Sequence, residues 1–188
     1  FQGVPGESEL SYDAAVPTQA DTWAVFSAEV GMGKKGQVAS LVTTHCIARS
    51  ELARGLNALT GPDLAVLDVQ EAGEGFSARF SARGKLYRYS ILNRVAPCAL
   101  LRRTHLHVKK SLDVDTMQAA AERLVGTHRF DAFRAADCER EDPTVTMQRC
   151  DVQRVAGSDH IRFEVRAPAF LKNMVRIMAG TLVEVGKG

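Results

Sequence analysis

Short apolar runs alternate with glycine-rich and charged stretches along this chain. Their period shifts between two and about 3.6, which predicts an α+β fold with largely antiparallel strands. Residues 1–22 are rich in Gly, Pro, Ser and Thr and read as loop. Residues 23–27 (WAVFS) are apolar and partly β-branched and predict a strand. The segment EVGMGKKG that follows reads as a glycine-rich loop, because its glycines break regular structure. Residues 36–44 alternate as a second strand does, with Val38, Ser40 and Val42 on one side and Ala39, Leu41 and Thr43 on the other. Leu52, Ala53, Leu56 and Leu59 are spaced as on a helix, with Ser50 as N-cap and Gly61-Pro62 as its stop. Residues 64–69 predict a short strand.

In the second half, Phe80 with residues 85–92 predicts a strand on which Leu86, Arg88 and Ser90 face away from Tyr87, Tyr89 and Ile91. Residues 104–108 read as another strand, and residues 113–124 as a helix with Met117, Ala120, Ala121 and Leu124 on one stripe. Residues 147–155 and 161–167 form a predicted hairpin, with Cys150, Val152, Ile161, Phe163 and Val165 on one face. Residues 170–185 predict a helix through the spacing of Phe170, Met174, Ile177 and Met178, with Gly186 as its stop.

Composition narrows the class more than the chemistry. With 188 residues and 45% apolar positions the chain can bury a core, and it holds one sizeable domain or two small ones. A net charge of +2 is too small to argue for nucleic-acid binding by itself, so a phosphate-binding surface must come from local clustering. Nothing approaches the run of about 18 apolar residues that a membrane span needs, and the N-terminus has no signal pattern, which predicts a soluble, cytoplasmic protein. Cys46, Cys98, Cys138 and Cys150 lack metal-type spacing and read as buried or free thiols.

Arg79, Arg83, Lys85 and Arg88 are interleaved with Phe76, Phe80, Tyr87 and Tyr89, a mixture that suits RNA because phosphates need charge and splayed bases need stacking faces. An exposed strand over core aromatics accounts for the same pattern equally well. Lys34 and Lys35 in GMGKKG form a second basic cluster, but the spacing is neither a P-loop nor a dinucleotide fingerprint. His105 and His107 share a presumed strand face yet lack a third ligand, so they read as structural or surface histidines rather than a metal site. Arg176 interrupts an apolar helix, and it either pairs with a carboxylate or extends along the helix to solvent.

The segment GFSARFSARGKLYRYSILNR (residues 75–94) resembles the ARFSA-x-x-K/R-x-Y-x-Y motif of the A-type tRNA pseudouridine synthases. GQVAS, LARGLNALTGPDLAVLD and LVGTHRFDAFRAADC follow the same order, and APAFLKNMVRIMAGTLVEVGKG is similar to the family's F-L-x-x-M-V-R-x-x-x-G-x-L-x-x-V-G block. The resemblance implies two sheet-and-helix halves around a basic cleft. It puts a partial N-terminal half at residues 1–78, carrying the catalytic-loop region, and a C-terminal half at residues 79–188, carrying the Y-x-Y strand and the M-V-R helix. It also implies a homodimer acting on tRNA, and conversion of uridine to pseudouridine in the anticodon arm. No cofactor and no metal are implied. Tyr87 matches the tyrosine that stacks on the base, and Arg176 matches the cation that pairs with the catalytic aspartate. Lys34, Lys35, Arg79, Arg83, Lys85 and Arg88 are the candidate RNA contacts.

At the catalytic loop the chain departs from the family. Where the family has G-R-T-D-x-G-V-H-A-x-G-Q-V, it reads FSAEVGMGKKGQV, and counting back from Gly36 puts Glu29 at the aspartate. A one-methylene displacement matters, since misplacing a reacting group by about 1 Å can cost a hundredfold in rate. Three readings stay open: Glu29 is the working carboxylate, the loop is degenerate and the protein only binds RNA, or loop residues are missing. The family's Y-D-G-T/S-x-F-x-G-W strand and its continuation past V-G-K-G are largely missing too, which the resemblance reads as truncation at both ends. Phe1-Gln2-Gly3 and Tyr12-Asp13 are possible remnants of that first strand, in conflicting order.

Overall fold

The computed structural model describes residues 7–11, 22–30, 34–43, 47–73 and 75–188, with side chains from Gln37 onward. In chain order the first elements are β1 (Glu7–Ser11), β2 (Thr22–Val30), β3 (Lys34–Val42), α1 (Arg49–Leu59), β4 (Leu64–Glu71) and β5 (Gly84–Asn93). They are followed by β6 (Leu106–Val108), α2 (Val114–Glu122), β7 (Gly126–Arg129), β8 (Thr144–Met147), β9 (Arg149–Arg154), β10 (His160–Ala167) and α3 (Met174–Lys187). The class is α+β. Residues 7–85 and 86–188 form two compact units. Among the described residues no helix is long and apolar enough to cross a membrane.

In the unit of residues 7–85, strands β3, β2 and β4 make an antiparallel sheet with β2 in the middle. Strands extend into the segment predicted as a glycine-rich loop. Ala28, Glu29 and Val30 pair with Val66, Ala65 and Leu64 of β4, and Val30 also pairs with Lys34 of β3. As the central strand, β2 satisfies its backbone on both sides, which carries it on through Ala28, Glu29 and Val30. Glu7–Ser11, inside the predicted N-terminal loop, is also a strand, and with Leu10 as its one apolar residue it has no alternation to read.

Helix α1 starts from Ala48 rather than Ser50, without a side-chain cap, as the amides of Glu51 and Leu52 both bond to the Ala48 carbonyl. Leu52, Ala53 and Leu56 pack on Val66 and Val69, whereas Leu59 is 88% exposed and lies off the stripe. Asn57 of this helix donates to the Val66 carbonyl at 2.9 Å and accepts from the Val66 amide at 2.7 Å, so a side chain occupies the free edge of β4. Phe80, predicted as part of a strand, is instead 80% exposed in a turn.

In the unit of residues 86–188 the sheet runs β9, β10, β5, β6. β9 and β10 form the predicted antiparallel hairpin, while β5 and β6 are parallel, so the sheet is mixed. Alternation assigns its faces as expected: Tyr89, Ile91, Cys150, Val152, Ile161, Phe163 and Val165 join Met117, Ala121, Met174, Met178 and Leu182 of the helices in one buried core. The predicted strand 147–155 divides at Gln148, whose amide bonds to the Arg166 carbonyl, and Met147 belongs to β8, which pairs with β7. Cys98 and Cys138 are free and half-buried, and burial pushes the free Cys150 thiol up to about 12, leaving it neutral. Cys46 lies outside the described residues.

Gly186 does not stop α3. It is buried within the helix, and a Cβ there would lie 2.6 Å from Met117 Sδ and 3.3 Å from Leu112 Cδ2. Its missing side chain is what lets α3 approach α2. Met117 is fully buried and cannot swing away into solvent. Gly186→Ala should therefore destabilise the protein by about 1–3 kcal/mol through overpacking. Chemical denaturation would measure it, and an unchanged midpoint would count against this packing role.

Candidate active site

Tyr87 lies near the start of β5, on the same face as Tyr89 and Ile91. Those two are buried, whereas Tyr87 is half-buried at the edge of the core. Its phenol is held above its ordinary pKa by burial, and secondarily by Tyr89, so it is neutral at physiological pH. The Phe170 ring stands against it edge-on, with centroids 5.2 Å apart and planes at 88°.

Phe170 precedes α3 instead of opening it, as the predicted helix had it. Residues 170–173 are an irregular segment, pinned on one side by buried Leu171. On the other side the Ala135 amide donates to the Lys172 carbonyl at 3.0 Å, and Lys172 Nζ reaches Asp137 Oδ2 at 2.5 Å, an ion pair that holds the Asp137 carboxyl below its ordinary range. Asn173 then turns the chain with φ 59, a left-handed conformation that asparagine tolerates better than most residues. It is the one non-glycine residue with positive φ among those described. α3 begins directly after it, burying Met174, Val175 and Met178 and leaving Arg176 exposed in its first turn. Among the described residues no carboxylate pairs with Arg176, and the side chain of Glu29 lies outside them.

Tyr87, Tyr89, Phe170, Leu171, Asn173, Met174, Val175 and Arg176 line one cavity of about 170 Å³. This is below the roughly 300–1,000 Å³ of drug-sized ligand sites and fits a single-ring group better than a nucleotide cofactor. Its lining combines aromatic side chains with a guanidinium. A larger cavity of about 530 Å³ lies between α2 and β9, lined by Asp113, Asp115, Gln118 and Arg154 among others, and it has no aromatic wall. The smaller one is the candidate site.

The other predicted site residues are on several different elements. Glu29 is on β2 opposite Ala65, and the β2–β3 ladder shifts register between Val25 and Ala28 and again between Ala28 and Val30. Such bulges re-aim side chains and are common beside active sites. Lys34 and Lys35 begin β3, and the side chains of all three residues lie outside the described ones. Arg79 is exposed, 5.3 Å from the centroid of the Phe80 ring. Arg83 is exposed and Lys85 half-buried. Arg88 is on the sheet face opposite Tyr87, 2.6 Å from Glu164. His105 and His107 do not converge on one point: His105 Nε2 meets His160 Nδ1 at 3.2 Å, and His107 Nε2 meets the Arg94 carbonyl at 2.8 Å.

Phe170 and Asn173 were not singled out in the sequence as site residues. Phe170 was absorbed into a helical period that it does not belong to. For Asn173 a signal existed, since asparagine just ahead of an apolar helix is a common place for a reversed turn.

Residues 120–188 match the model of a family described as tRNA pseudouridine synthase. The tRNA pseudouridine synthase A of Myxococcus xanthus is 44% identical over 160 residues, which cover 85% of this chain and 60% of that protein. The protein of that name from Caulobacter vibrioides (strain NA1000 / CB15N) is 38% identical over 98% of this chain and 74% of its own length. That of Brucella ovis is 38% identical over 100% of this chain and 71% of its own. The chain spans 60% of the Myxococcus xanthus relative and 65% of one from Geotalea uraniireducens.

Proposed function

Because the chain belongs to the tRNA pseudouridine synthase A family, we propose that it isomerises uridine to pseudouridine in the anticodon arm of tRNA without metal or cofactor. The observation that carries this reading is the cavity shared by Tyr87 and Arg176, two residues 89 positions apart that match the family's Y-x-Y and M-V-R motifs.

A uridine in a stem or loop must leave its stack before chemistry, at a cost of a few kcal/mol. The Tyr87 face returns part of that cost. Uracil is detached from C1′ of the ribose, turned, and rejoined through C5, so substrate and product have the same atoms and no co-substrate is consumed. Glu29 supplies the carboxylate that attacks or deprotonates the ribosyl uracil, and Arg176 keeps it charged, because an adjacent cation favours the ionised form. Lys34, Lys35, Arg79, Arg83, Lys85 and Arg88 are the residues that contact RNA phosphates. The protein works as a homodimer, which light scattering would check.

Forming the bond at C5 expels its hydrogen, so release of tritium from [5-³H]uridine in a tRNA transcript reads the reaction directly. Tyr87→Ala should lower kcat/KM for tRNA roughly fivefold to a hundredfold, as expected from the loss of about 1–3 kcal/mol of base stacking. Tyr87→Phe keeps the stacking face and should bind tRNA as the wild type does. If the alanine variant equals wild type in both rate and affinity, the cavity is not the base pocket. A second reading, an RNA-binding homologue without isomerase chemistry, is favoured by Glu29 standing at the aspartate position. It expects salt-sensitive tRNA binding and no tritium release.

A further inference from the structure

Two polar groups in the wall of the cavity shared by Tyr87 and Arg176 have no hydrogen-bond partner among the described residues. The first is the hydroxyl of Tyr89. Its residue is buried, 8% exposed, and its ring packs near Phe163 with centroids 6.3 Å apart. A buried tyrosine usually finds a partner for its O–H, and this one has none. No side-chain oxygen or nitrogen among the described residues is both sealed from solvent and unpaired, so the hydroxyl is accessible, and the opening that Tyr89 borders is the cavity.

The second group is the carboxamide of Asn173. The residue stands at the N-cap of α3, where an asparagine side chain ordinarily accepts from a helix amide. Here it makes no such bond and no other. Its backbone is left-handed, with φ 59 and ψ 5, a conformation that glycine adopts at less cost. Neither the cap nor the turn accounts for the carboxamide.

A hydroxyl and a carboxamide match the polar edge of uracil, which presents a carbonyl oxygen, the N3–H and a second carbonyl oxygen in a row. A carboxamide can donate to one oxygen while accepting from N3–H, and a hydroxyl can donate to the other oxygen. The same edge suits a ring that has to be turned. Half a turn about the line through N3 and C6 exchanges N1 with C5 and one carbonyl with the other. The order of acceptor, donor and acceptor is then unchanged, so groups that read this edge make the same hydrogen bonds to the substrate ring and to the product ring.

We infer that Tyr89, through its hydroxyl, and Asn173, through its carboxamide, bind the polar edge of the uracil ring and keep the base in the cavity while it is turned. The inference rests on the proposed isomerisation of uridine and adds to it the residues that hold the ring.

The test is tritium release from tRNA transcripts carrying [5-³H]uridine or its N3-methyl analogue, for wild type, Tyr89→Phe, Asn173→Gly and Asn173→Asp, with thermal melts to establish folding. Tyr89→Phe should lower kcat/KM on uridine about tenfold, the scale of one net hydrogen bond. Its melting temperature should hold or rise, since the hydroxyl makes no bond within the fold. Asn173→Gly keeps the left-handed turn and should lose about as much on uridine. Methylation at N3 removes the donor that the carboxamide reads, and should slow the wild type roughly tenfold to a hundredfold by leaving an acceptor unpaired. In Asn173→Gly that penalty should shrink to a few-fold at most. Asn173→Asp keeps the turn and the acceptor but not the donor, and should be slow on uridine with the wild-type penalty for methylation. A carboxamide that only shapes the turn would leave the penalty the same in Asn173→Gly as in wild type, and that result overturns its role. Folded Tyr89→Phe with wild-type kcat/KM overturns the role of the hydroxyl. A wild type that releases no tritium from uridine overturns the proposed function, and this inference falls with it.

Discussion

Arg176→Ala should lower the rate of pseudouridine formation at saturating tRNA on the order of a hundredfold to a thousandfold, the scale of losing one fixed electrostatic partner in an active site. KM should move much less. The variant should also fold at least as well as wild type. Arg176 is exposed in the first turn of α3, where no acidic residue accompanies it. A cation near a helix N-terminus faces the positive end of the macrodipole, an unfavourable placement worth about 0.3–1 kcal/mol. The arginine is therefore kept at some cost to the helix, and a loss of rate with an unchanged or raised melting temperature separates chemistry from folding.

Its pH dependence has a definite sign. A guanidinium beside a carboxylate lowers the carboxylate pKa, so removing it raises that pKa. The acidic limb of the rate profile, which follows ionisation of the carboxylate, should then move to higher pH in Arg176→Ala. Arg176→Lys restores a charge but not the planar fork, and should fall between the two. Wild-type kcat and an unmoved acidic limb in the alanine variant would remove Arg176 from the mechanism.

Much of this site could be read in the chain because its parts sit on regular elements. Alternation in the sequence separates Tyr87, Tyr89 and Ile91 from Arg88, and the same period of two assigns Cys150, Val152, Phe163 and Val165 to the core. Where period says little, the reading failed. β1 carries one apolar residue, β2 continues through a stretch whose composition favours a loop, and β6 reveals its parallel pairing only through its neighbour. Gly186 shows a subtler limit. Near the end of a helix a glycine reads as a stop, yet this one is explained by Met117 on another helix, a contact between residues far apart in sequence. The Phe170–Tyr87 contact and the Arg88–Glu164 ion pair are tertiary in the same way, and single-strand patterns do not encode them.

Glu29→Gln should reduce tritium release by about four orders of magnitude or more, as expected when a nucleophile or essential base is removed. The substitution keeps shape and length and deletes the charge, so β2 and its pairing with Ala65 should persist. Binding of tRNA should hold or tighten slightly, since one negative charge near the phosphates is gone. Glu29→Asp tests position instead of charge: it withdraws the carboxylate by one methylene to the length the family uses. An offset near 1 Å is worth about a hundredfold in rate, so aspartate should preserve the wild-type rate or raise it. The shifts in register on either side of Ala28 give the strand a local means of aiming position 29, and a site built for glutamate would show the opposite preference. If Glu29→Gln turns over tRNA like the wild type, the essential carboxylate is elsewhere. If the wild type binds tRNA in a salt-sensitive manner and neither it nor Glu29→Asp forms pseudouridine, the protein is a binding homologue in which the glutamate records a lost catalytic aspartate.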